Sequence, residues 1–382
     1  MAGIYIHIPY CKQACSYCNF HFSTSLRSKD ALIQSIIREL VLKSIDYEEV
    51  IETIYFGGGT PSILSTHEIN QILSKIFKNY TISDYAEITL ETNPDDMTEN
   101  KLVKISDTKI NRLSIGVQSF IEKELIMMKR VHNSIQAQKS VELSLKFFDN
   151  ISIDLIYGVP ESDMKSWKSN LDISLKFNLN HYTAYALTLE PKTILKKYTE
   201  NNIIEKLDDD VVYDQYCFTN KTFLEKNYIN YELSSYAKKG FFSMNNSGYW
   251  LRKKYIGVGP SAHSFDGKKR TWNISNNSRY INAINNGHEF FQSEYLSIID
   301  KYNEYVMTGL RTVWGVSLKY LRTEFGEQYK EYFVEKSQKY FDLNYLRQDN
   351  NIVTTTIEGR FLADGISSDL FVINRFKGFL KD

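Results

Sequence analysis

The chain has 382 residues, of which 42% are hydrophobic and 24% are charged. This is the composition of an ordinary folded protein, and it excludes the disordered and collagen-like classes. The 46 basic and 46 acidic side chains give a formal net charge of zero, so nucleic acid is not expected as a partner. No apolar run is long enough to cross a bilayer, and the N-terminus lacks the pattern of a signal peptide. We therefore predict a cytoplasmic protein without a membrane span, with peripheral membrane contact left open.

Six short segments rich in β-branched and aromatic residues recur through the first half of the chain, and each is predicted as a strand. Their near-continuous apolar character is typical of parallel strands covered on both faces. They are Ile4–Ile8, Thr53–Phe56, Glu87–Glu91, Arg112–Val117, Ile151–Tyr157 and Tyr182–Leu189. Helical periodicity lies between them in Leu32–Lys43, Thr66–Lys78 and Ile135–Phe147. We therefore predict an α/β fold, a partial (β/α)6 barrel of TIM type, over residues 1–190.

Beyond residue 190 the pattern changes, and residues 191–300 are predicted as an accessory segment that packs on the barrel. In this segment Asp208–Lys226 is predicted as a helix and Asn230–Ala237 as a strand. Residues 301–382 are predicted as a mostly helical C-terminal domain. Its predicted elements are helices Asn303–Leu310, Leu318–Phe325 and Lys330–Leu343, followed by strands around Ile352–Ile357 and Arg360–Ala363. Helices followed by a hairpin resemble a winged-helix arrangement, here interpreted as a packing domain because the chain is neutral.

Three of the four cysteines cluster on the loop after the first strand. Cys11, Cys15 and Cys18 form a C-x3-C-x2-C run, which in a cytosolic chain with few cysteines indicates a metal site. One alternative is an iron–sulfur cluster with three thiolates and one open iron position. A second is zinc, for which His21 would complete a Cys3His set, and a third is packing of three structural cysteines. Cys217 stands apart and is predicted to be a small buried hydrophobe.

Polar residues recur where the predicted parallel strands end, which is the face of such barrels where active sites collect. Gly58, Gly59 and Thr60 follow the second strand, and a glycine-rich turn lets backbone N–H groups approach a ligand. Further along the chain, the residues with this placement are Glu91, Gln118, Arg130 and Asp154. A carboxylate in an apolar strand needs a partner, which for Asp154 is either Arg130 or a ligand. We predict that these residues converge on one ligand.

The first strand itself carries two polar aromatic residues just ahead of the cysteines. Tyr5 is interpreted either as an aromatic contact for a cationic ligand or as a core tyrosine. His7 is interpreted either as a ligand or as a hydrogen-bonded core histidine.

Five motifs in this order carry a resemblance to a known family. They are Tyr5-Ile-His7-Ile-Pro9-Tyr-Cys11 with Cys15, Cys18 and Phe20, the Gly57–Ser62 turn, Glu91 in an E-T-N-P context, Arg112–Phe120 and Ile153–Gly158. Together they resemble the radical S-adenosylmethionine (SAM) proteins of the oxygen-independent coproporphyrinogen III oxidase family. The match extends from Tyr5 to about His263, and family members continue with a helical C-terminal domain.

The resemblance implies a function for each of the predicted site residues. Cys11, Cys15 and Cys18 would ligate a [4Fe–4S] cluster whose open iron binds SAM. Tyr5 would lie by the sulfonium of SAM, and Gly58, Gly59 and Thr60 by its methionyl group. The remaining polar atoms of SAM would be held by Glu91, Gln118, Arg130 and Asp154. An electron donor such as flavodoxin or ferredoxin is implied as a partner.

Two departures from the family pattern indicate which branch the chain resembles. Members that decarboxylate coproporphyrinogen carry a fourth cysteine where this chain has Phe20, and an extension ahead of the first strand, which here begins near Ile4. The resemblance is therefore to the heme-chaperone (HemW-type) branch, which implies a heme or porphyrinogen ligand, heme-accepting respiratory apoproteins and, as a further expectation, a homodimer. The alternatives are the decarboxylase of porphyrin biosynthesis and a non-catalytic heme-carrying iron–sulfur module.

One segment departs from that branch. Its members usually carry His-Asn-x-x-Tyr-Trp, whereas this chain has Asn245 in the histidine position, followed by Tyr249 and Trp250. An amide is a poorer ligand for heme iron than imidazole. We therefore expect heme binding to be lost, weakened, or carried by another side chain such as His263 or His21. Tyr249 and Trp250 are equally well explained by core packing.

Overall fold

The six predicted strands form six parallel strands at the centre of the structure, a computed structural model that describes residues 2–45 and 47–373. Consecutive strands are hydrogen-bonded neighbours. The strands are β1 Ala2–Ile8, β2 Ile51–Gly58, β3 Ile82–Thr92, β4 Arg112–Gln118, β5 Ile151–Tyr157 and β6 His181–Ala186. Every residue of β4 is buried, as expected for a strand covered on both faces. The sixth strand ends at Ala186, earlier than the predicted Leu189.

Helices connect each strand to the next, so the crossovers are those of repeated β-α units. The helices are α1 Lys29–Ser44, α2 Thr66–Asn79, α3 Glu99–Ser106, α4 Glu122–Met127, α5 Ser134–Ser144 and α6 Met164–Lys176. Three of them begin with reciprocal capping bonds, at Ser65, Asn133 and Asp163. The three predicted helices lie at α1, α2 and α5, although the third ends at Ser144, ahead of the predicted Phe147.

Residues after β6 extend the sheet at both edges. The added helices are α7 Ile194–Glu200, α8 Asp209–Glu225, α9 Met244–Trp250 and α10 Asn277–Asn286. The added strands are β7 Ile229–Asn230, β8 Ser235–Ala237, β9 Lys254–Val258, β10 His263–Phe265, β11 Lys269–Asn273 and β12 Phe291–Tyr295. Strand β8 pairs with β6, while β9 pairs in parallel with β1 and is followed outward by β10, β11 and β12. The predicted single strand Asn230–Ala237 is wrong: it is the hairpin β7–β8, in which Asn230 pairs with Tyr236.

The extension is attached to α1 through one fully buried carboxylate, that of Glu39. Its Oε2 accepts the Gly259 N–H at 2.8 Å and the Tyr280 hydroxyl. Its Oε1 accepts Asn273 Nδ2 at 2.7 Å and lies 2.8 Å from Lys43 Nζ. One side chain therefore joins α1 to the loop after β9, to β11 and to α10.

The C-terminal region has its own cluster of buried hydrophobic side chains, centred on residues such as Tyr302, Leu321 and Phe333. Its elements are α11 Ile298–Leu310, β13 Val316–Ser317, α12 Leu318–Tyr320 with a π-helical turn at Leu321–Phe325, α13 Glu327–Asp342, β14 Leu346–Asp349, β15 Ile352–Thr355, α14 Ile357–Phe361 and α15 Ala363–Asp369. Helices combined with the small sheet β13-β15-β14 match the winged-helix-like expectation.

The predicted strand Arg360–Ala363 is wrong, because Ile357–Phe361 is a helix. The Thr356 hydroxyl caps this helix by accepting the Gly359 N–H at 3.0 Å, and Gly359 packs so tightly on Tyr345 that a Cβ would overlap its carbonyl oxygen. The hairpin forms from β14 and β15 instead. Residues 374–382 of the predicted C-terminal domain, like Met1 and Asp46, lie outside the described residues, and the three-part division of the chain stays a prediction.

Within the described ranges, none of the helices has both the length and the apolar character that a bilayer crossing requires.

Candidate functional site

A cavity of about 530 Å³ is lined by residues from all six parallel strands and from the loop that follows β1. The lining includes residues at the carboxyl ends of the strands, such as Gly58, Glu91 and Gln118, and this is the end at which α/β barrels place their active sites. All of the residues predicted from the sequence to surround a ligand line this cavity: Tyr5, Cys11, Cys15, Cys18, Gly58, Gly59, Thr60, Glu91, Gln118, Arg130 and Asp154. The structure thus brings these residues together, while their roles toward a cofactor stay predictions.

The loop with the three cysteines is fixed by backbone and hydroxyl hydrogen bonds. The Cys11 N–H donates to the Ser23 carbonyl at 3.1 Å, which closes the loop on itself. Ser16 donates its N–H to Met128 O at 3.2 Å and its hydroxyl to Met127 O at 2.9 Å. All three cysteines are free thiols and half-buried. The loop therefore presents its sulfur atoms to the cavity from a braced backbone.

Two polar groups contact the sulfur atoms. Thr60 Oγ1 lies 3.5 Å from Cys11 Sγ, and Arg130 Nη1 lies 3.4 Å from Cys15 Sγ. Burial raises the pKa of Cys11 to about 11, so a bound cation is needed to hold this sulfur as thiolate at neutral pH. The turn after β2 packs so closely on the loop that a Cβ at Gly59 would lie only 3.0 Å from Cys11 Sγ. Donors to sulfur around three clustered thiols fit the requirements of an iron–sulfur cluster.

The zinc alternative required His21 to join the cysteines. Instead, His21 Nε2 lies 2.8 Å from Asn277 Oδ1 on α10, and His21 does not line the cavity. Zinc needs ligands about 2–2.3 Å from a single point. In the part of the chain that the structure describes, no three His, Cys, Asp or Glu side chains are placed to hold one metal ion. The residues present therefore fit a multi-iron cluster better than a single zinc ion.

The glycine turn after β2 is bonded within the protein. The N–H groups of Gly58, Gly59 and Thr60 donate to Glu91 Oε2 at 3.2 Å, to Ile8 O at 2.9 Å and to Tyr10 O at 2.7 Å. Gly58 has φ of +113°, a conformation that favours glycine. Because these N–H groups are occupied, a ligand contact of this turn has to use its other atoms.

His7 is a core histidine and not a ligand. Its Nε2 lies 3.0 Å from the His21 carbonyl, which accepts only, so Nε2 carries the proton. Its Nδ1 then accepts from the Tyr5 hydroxyl at 3.1 Å. Burial lowers the pKa of His7 to about 4, which keeps the ring neutral. Tyr5 lines the cavity and is oriented through this bond.

Glu91 and Asp154 form an acidic wall of the cavity. The Tyr55 hydroxyl donates to Glu91 Oε1 at 2.7 Å. Burial raises the pKa of Glu91 to about 7 and that of Asp154 to about 6, and the two charges oppose each other. Among the described residues neither carboxylate lies in an ion pair; in particular, Arg130 is not the ion-pair partner of Asp154. Two carboxylates of this kind suit hydroxyl or amino groups of a ligand.

Arg130 and Gln118 are held in the cavity lining by specific contacts. Arg130 Nη2 donates to Asn93 Oδ1 at 2.7 Å and to Gly116 O at 2.8 Å. Gln118 has φ of +67°, an uncommon conformation for a non-glycine residue, and its Oε1 accepts the Tyr185 hydroxyl at 3.0 Å. The bond to Tyr185 and the backbone conformation together fix the orientation of the Gln118 side-chain amide.

The sequence interpretation missed several cavity residues, among them Arg112, Tyr185, Glu232 and His181. The Arg112 side chain is buried, and its Nε lies 3.8 Å from Glu87 Oε2. Glu87 in turn accepts the N–H groups of the first turn of α9. Arg112 and Glu87 were detectable, because each is a charged residue in an apolar strand, the signal that identified Asp154.

The segment that departs from the heme-chaperone pattern lies at the cavity. Asn245 is buried, lines the cavity, and accepts the Thr53 hydroxyl at 3.2 Å. Tyr249 lines it too, whereas the Trp250 ring stacks under Arg311 at 5.5 Å. His263 is exposed and is not part of the cavity lining. Cys217 is half-buried and packs against the main core.

His132, two residues after Arg130, is expected to make the stability of the protein depend on pH. His132 is buried, its Nε2 lies 3.0 Å from Val117 O, and burial lowers its pKa to about 4. Between pH 6.5 and pH 4 the unfolded chain binds this proton and the folded chain does not, so stability falls as pH falls. From pH 7 to pH 5 we expect this histidine to remove about 2 kcal/mol.

The measurement is urea unfolding at both pH values for the wild type and for His132→Gln, which retains a donor for Val117. The variant should lose about 2 kcal/mol less than the wild type on acidification. Parallel losses in the two proteins would show that His132 binds its proton in the folded state as readily as in the unfolded state.

Comparisons with known proteins cover nearly the whole chain. Residues 5–172 match the radical SAM superfamily and residues 296–362 match the HemN C-terminal domain. A protein named heme chaperone HemW from Lactococcus lactis subsp. lactis is 30% identical over 95% of this chain and 95% of its own length. A protein of the same name from Buchnera aphidicola subsp. Acyrthosiphon pisum is 32% identical, over 88% of this chain and 89% of its own length.

The fold can be compared with a solved structure. The coproporphyrinogen III oxidase HemN of Escherichia coli, described as a radical SAM enzyme, aligns with a TM-score of 0.83 at 18% identity. The alignment covers 97% of this chain and 90% of the HemN chain. The similarity confirms the predicted fold class, a radical SAM α/β fold with a mostly helical C-terminal region.

Proposed function

This chain belongs to the HemW-type branch of the HemN family of radical SAM proteins, and from that premise we propose that it is a heme chaperone. In this proposal it binds a [4Fe–4S] cluster and SAM, and it transfers heme to respiratory apoproteins. The observation that carries the proposal is the convergence of three free thiols and the polar residues Tyr5, Glu91, Gln118, Arg130 and Asp154 on one cavity.

In this proposal, different residues of the cavity bind the cluster and SAM. The cysteine thiolates would hold the cluster, and Arg130 keeps Cys15 in place through its bonds to Asn93 and Gly116. Glu91 and Asp154 would accept hydroxyl and amino protons of SAM, and Tyr5 would lie against its cationic sulfonium. When bound, such a cluster with SAM supplies one-electron cleavage of the sulfonium.

The electron for such a reaction has to come from outside the chain. A donor such as flavodoxin or ferredoxin, a heme-accepting apoprotein, a homodimer and a cytoplasmic location belong to the same proposal. They are supported by the family relationship.

The proposal is tested on protein reconstituted anaerobically with iron and sulfide, titrated first with SAM and then with hemin. Binding of both ligands, followed by heme transfer to an apocytochrome, is the expected result. Loss of two carboxyl groups from coproporphyrinogen III under reducing conditions would establish the decarboxylase instead. Hemin binding without SAM binding would identify a non-catalytic heme carrier.

Asp154→Asn tests the acidic wall in the same preparation. The amide keeps the size of the side chain but removes the charge, so hydrogen bonds from a ligand lose their ionic partner. We expect SAM to bind about 10- to 100-fold more weakly, the equivalent of roughly 1.5–3 kcal/mol for a bond to a charged group. Isothermal titration on the reconstituted protein measures this.

Asp172→Asn is the matched control, because Asp172 is exposed on α6. Its SAM affinity should equal that of the wild type. Equal affinities for all three proteins would exclude Asp154 as a SAM contact.

A further inference from the structure

The main cavity continues past the residues proposed for the cluster and SAM, toward the beginnings of the strands. Arg112 and Ser114 of β4 and His181 and Thr183 of β6 line it there, and we call this end of the cavity the floor. Arg112 is the first residue of β4 and Gln118 is the last, so their Cα atoms lie roughly 20 Å apart along the strand. Barrels of this type usually fill their interior with branched apolar side chains. The polar floor is therefore not built as a packed apolar core.

Arg112 brings a buried cation with unused hydrogen-bond donors to the floor. Its side chain is 3% exposed, and within residues 2–45 and 47–373 its guanidinium has no hydrogen-bond partner. Glu87 Oε2 lies 3.8 Å from Nε, which is beyond hydrogen-bond distance. The Glu87 carboxylate instead accepts the N–H groups of Met244 and Asn245 at 3.0 and 3.1 Å. The two Nη groups of Arg112 are thus available for a bidentate bond to a carboxylate in the cavity.

Glu232 brings a carboxylate to the same cavity from the β7–β8 hairpin. It is buried, and in the part of the chain that the structure describes it lies in no ion pair. Its backbone is fixed by an antiparallel bridge to Thr312 and by Asn230 Nδ2, which donates to its carbonyl at 2.6 Å. Burial raises the pKa of Glu232, while hydrogen bonds from Ser235 and Asn246 act in the opposite direction. A cationic group of a ligand beside it would hold this carboxylate in its charged form.

The other polar side chains at the floor are bonded to one another. Tyr231 Oη lies 2.8 Å from His181 Nε2 and 3.4 Å from Asn246 Nδ2. His181 Nδ1 lies 2.7 Å from Ser152 Oγ. Burial and the charge of Arg112 lower the pKa of His181, so its ring is neutral. Arg112 and Glu232 are therefore the charged groups of the cavity that neither this network nor the proposed SAM contacts use.

The size and polarity of the cavity limit what the floor can hold. The whole cavity, including the space proposed for SAM, measures about 530 Å³. Hydroxyl and amide groups dominate the inner lining, as in Ser114, Thr183, Ser235 and Asn246. A porphyrin needs a broad apolar surface, which this lining does not offer. A small polar molecule with one anionic and one cationic group matches both the size and the charges.

We propose that the floor binds a small molecule of the amino-acid class, whose carboxylate pairs with Arg112 and whose ammonium group pairs with Glu232. Each charge of such a ligand meets a buried group of opposite charge, so neither protein charge stays uncompensated. The methionyl end of SAM is not this ligand, because in the proposed function it lies by the cysteine loop, at the opposite end of the cavity. The inference goes beyond the heme-chaperone function and does not require that heme binds.

The experiment is saturation-transfer difference NMR on the reconstituted full-length protein, with glycine and acetate as probes. Both should bind to the wild type, and saturating SAM should not weaken glycine binding. Arg112→Gln should weaken the binding of both probes at least about ten-fold, because both carry a carboxylate. Glu232→Gln should weaken glycine binding to the same extent and leave acetate binding unchanged, because acetate has no ammonium group.

The control variant is Arg279→Gln, since Arg279 is exposed on α10, and it should bind both probes like the wild type. Circular dichroism and iron analysis establish that each variant folds and forms its cluster. Arg112→Lys retains the charge and should keep part of the acetate binding. If Arg112→Gln does not fold, the contrast between glycine and acetate in Glu232→Gln still decides the question.

Four outcomes would overturn the inference. Unchanged acetate binding in Arg112→Gln would exclude the carboxylate contact, and unchanged glycine binding in Glu232→Gln would exclude the ammonium contact. Displacement of glycine by SAM would make the floor part of the SAM site. A wild type that takes up SAM but neither probe would show that the floor binds no ligand of this class. Hemin titration of the same preparation tests the chaperone function separately, and its failure would leave the inference about the floor intact.

Discussion

Cys15→Ser protein, reconstituted anaerobically, is expected to retain less than about one tenth of the wild-type iron. The wild type should hold about four iron and four sulfide per chain, because a [4Fe–4S] cluster with three protein thiolates is the site we propose. Removal of one thiolate leaves two, and the remaining cysteine, Cys217, packs against the main core on α8 and does not line the cavity. Among the residues that the structure describes, no fourth cysteine lines the cavity, so no substitute thiolate is within reach. Iron and sulfide analysis with the visible absorption spectrum measures the loss.

Cys217→Ser is the matched control and should reconstitute to the wild-type iron content. Its thermal unfolding should also stay close to that of the wild type, since the side chain is only half-buried. One zinc ion per chain in the wild type, without sulfide, would contradict the cluster. Full iron content in Cys15→Ser would remove Cys15 from the ligand set.

Glu39→Ala should be the most destabilising single substitution that we predict, at about 3–5 kcal/mol. The carboxylate is fully buried and pairs with Lys43 while accepting bonds from Gly259, Asn273 and Tyr280. Breaking a buried ion pair on one side leaves the other partners without their acceptor, which is the costly case. Urea unfolding followed by circular dichroism gives the change in free energy.

Glu142→Ala provides the control, because Glu142 is exposed on α5 and its loss should cost less than about 0.5 kcal/mol. Glu39→Gln retains the size of the side chain and one acceptor, so its loss of unfolding free energy should lie between those of Glu39→Ala and Glu142→Ala. A loss below about 1 kcal/mol for Glu39→Ala would show that the extension is held to α1 by packing and not by this carboxylate.

The strands of the barrel were predictable because strands that are buried on both faces consist of nearly continuous apolar residues. Strand β5 is predicted with the bounds that the structure has, Ile151–Tyr157. Strand β14 was missed because three of its four residues are polar and exposed, so that its pairing, not its composition, defines it. The helix at Ile357–Phe361 was missed for a related reason: Arg360 is held there by Asn230, far away in the chain.

The candidate site was predictable where a residue type contradicts its surroundings. A cysteine cluster can be recognised from the sequence alone, and so can a carboxylate such as Asp154 in an apolar strand. The orientation of His21 toward Asn277 is not, because it depends on a helix that follows 256 residues later. The same holds for Glu232, which reaches the cavity from the β7–β8 hairpin, where no motif marks it.

The position of β1 between β2 and β9 bears on how the protein is made. Residues 2–6 pair with residues 254–258, so one edge of the strand that precedes the cysteine loop stays open until the ribosome has delivered β9. At roughly 5–20 residues per second this takes on the order of 10–50 s. During that time an apolar strand with an unpaired edge is prone to aggregation. For the proposed cluster, iron delivery before β9 has emerged would meet a loop whose supporting strand is not yet enclosed, so we expect the cluster to be loaded after most of the translation.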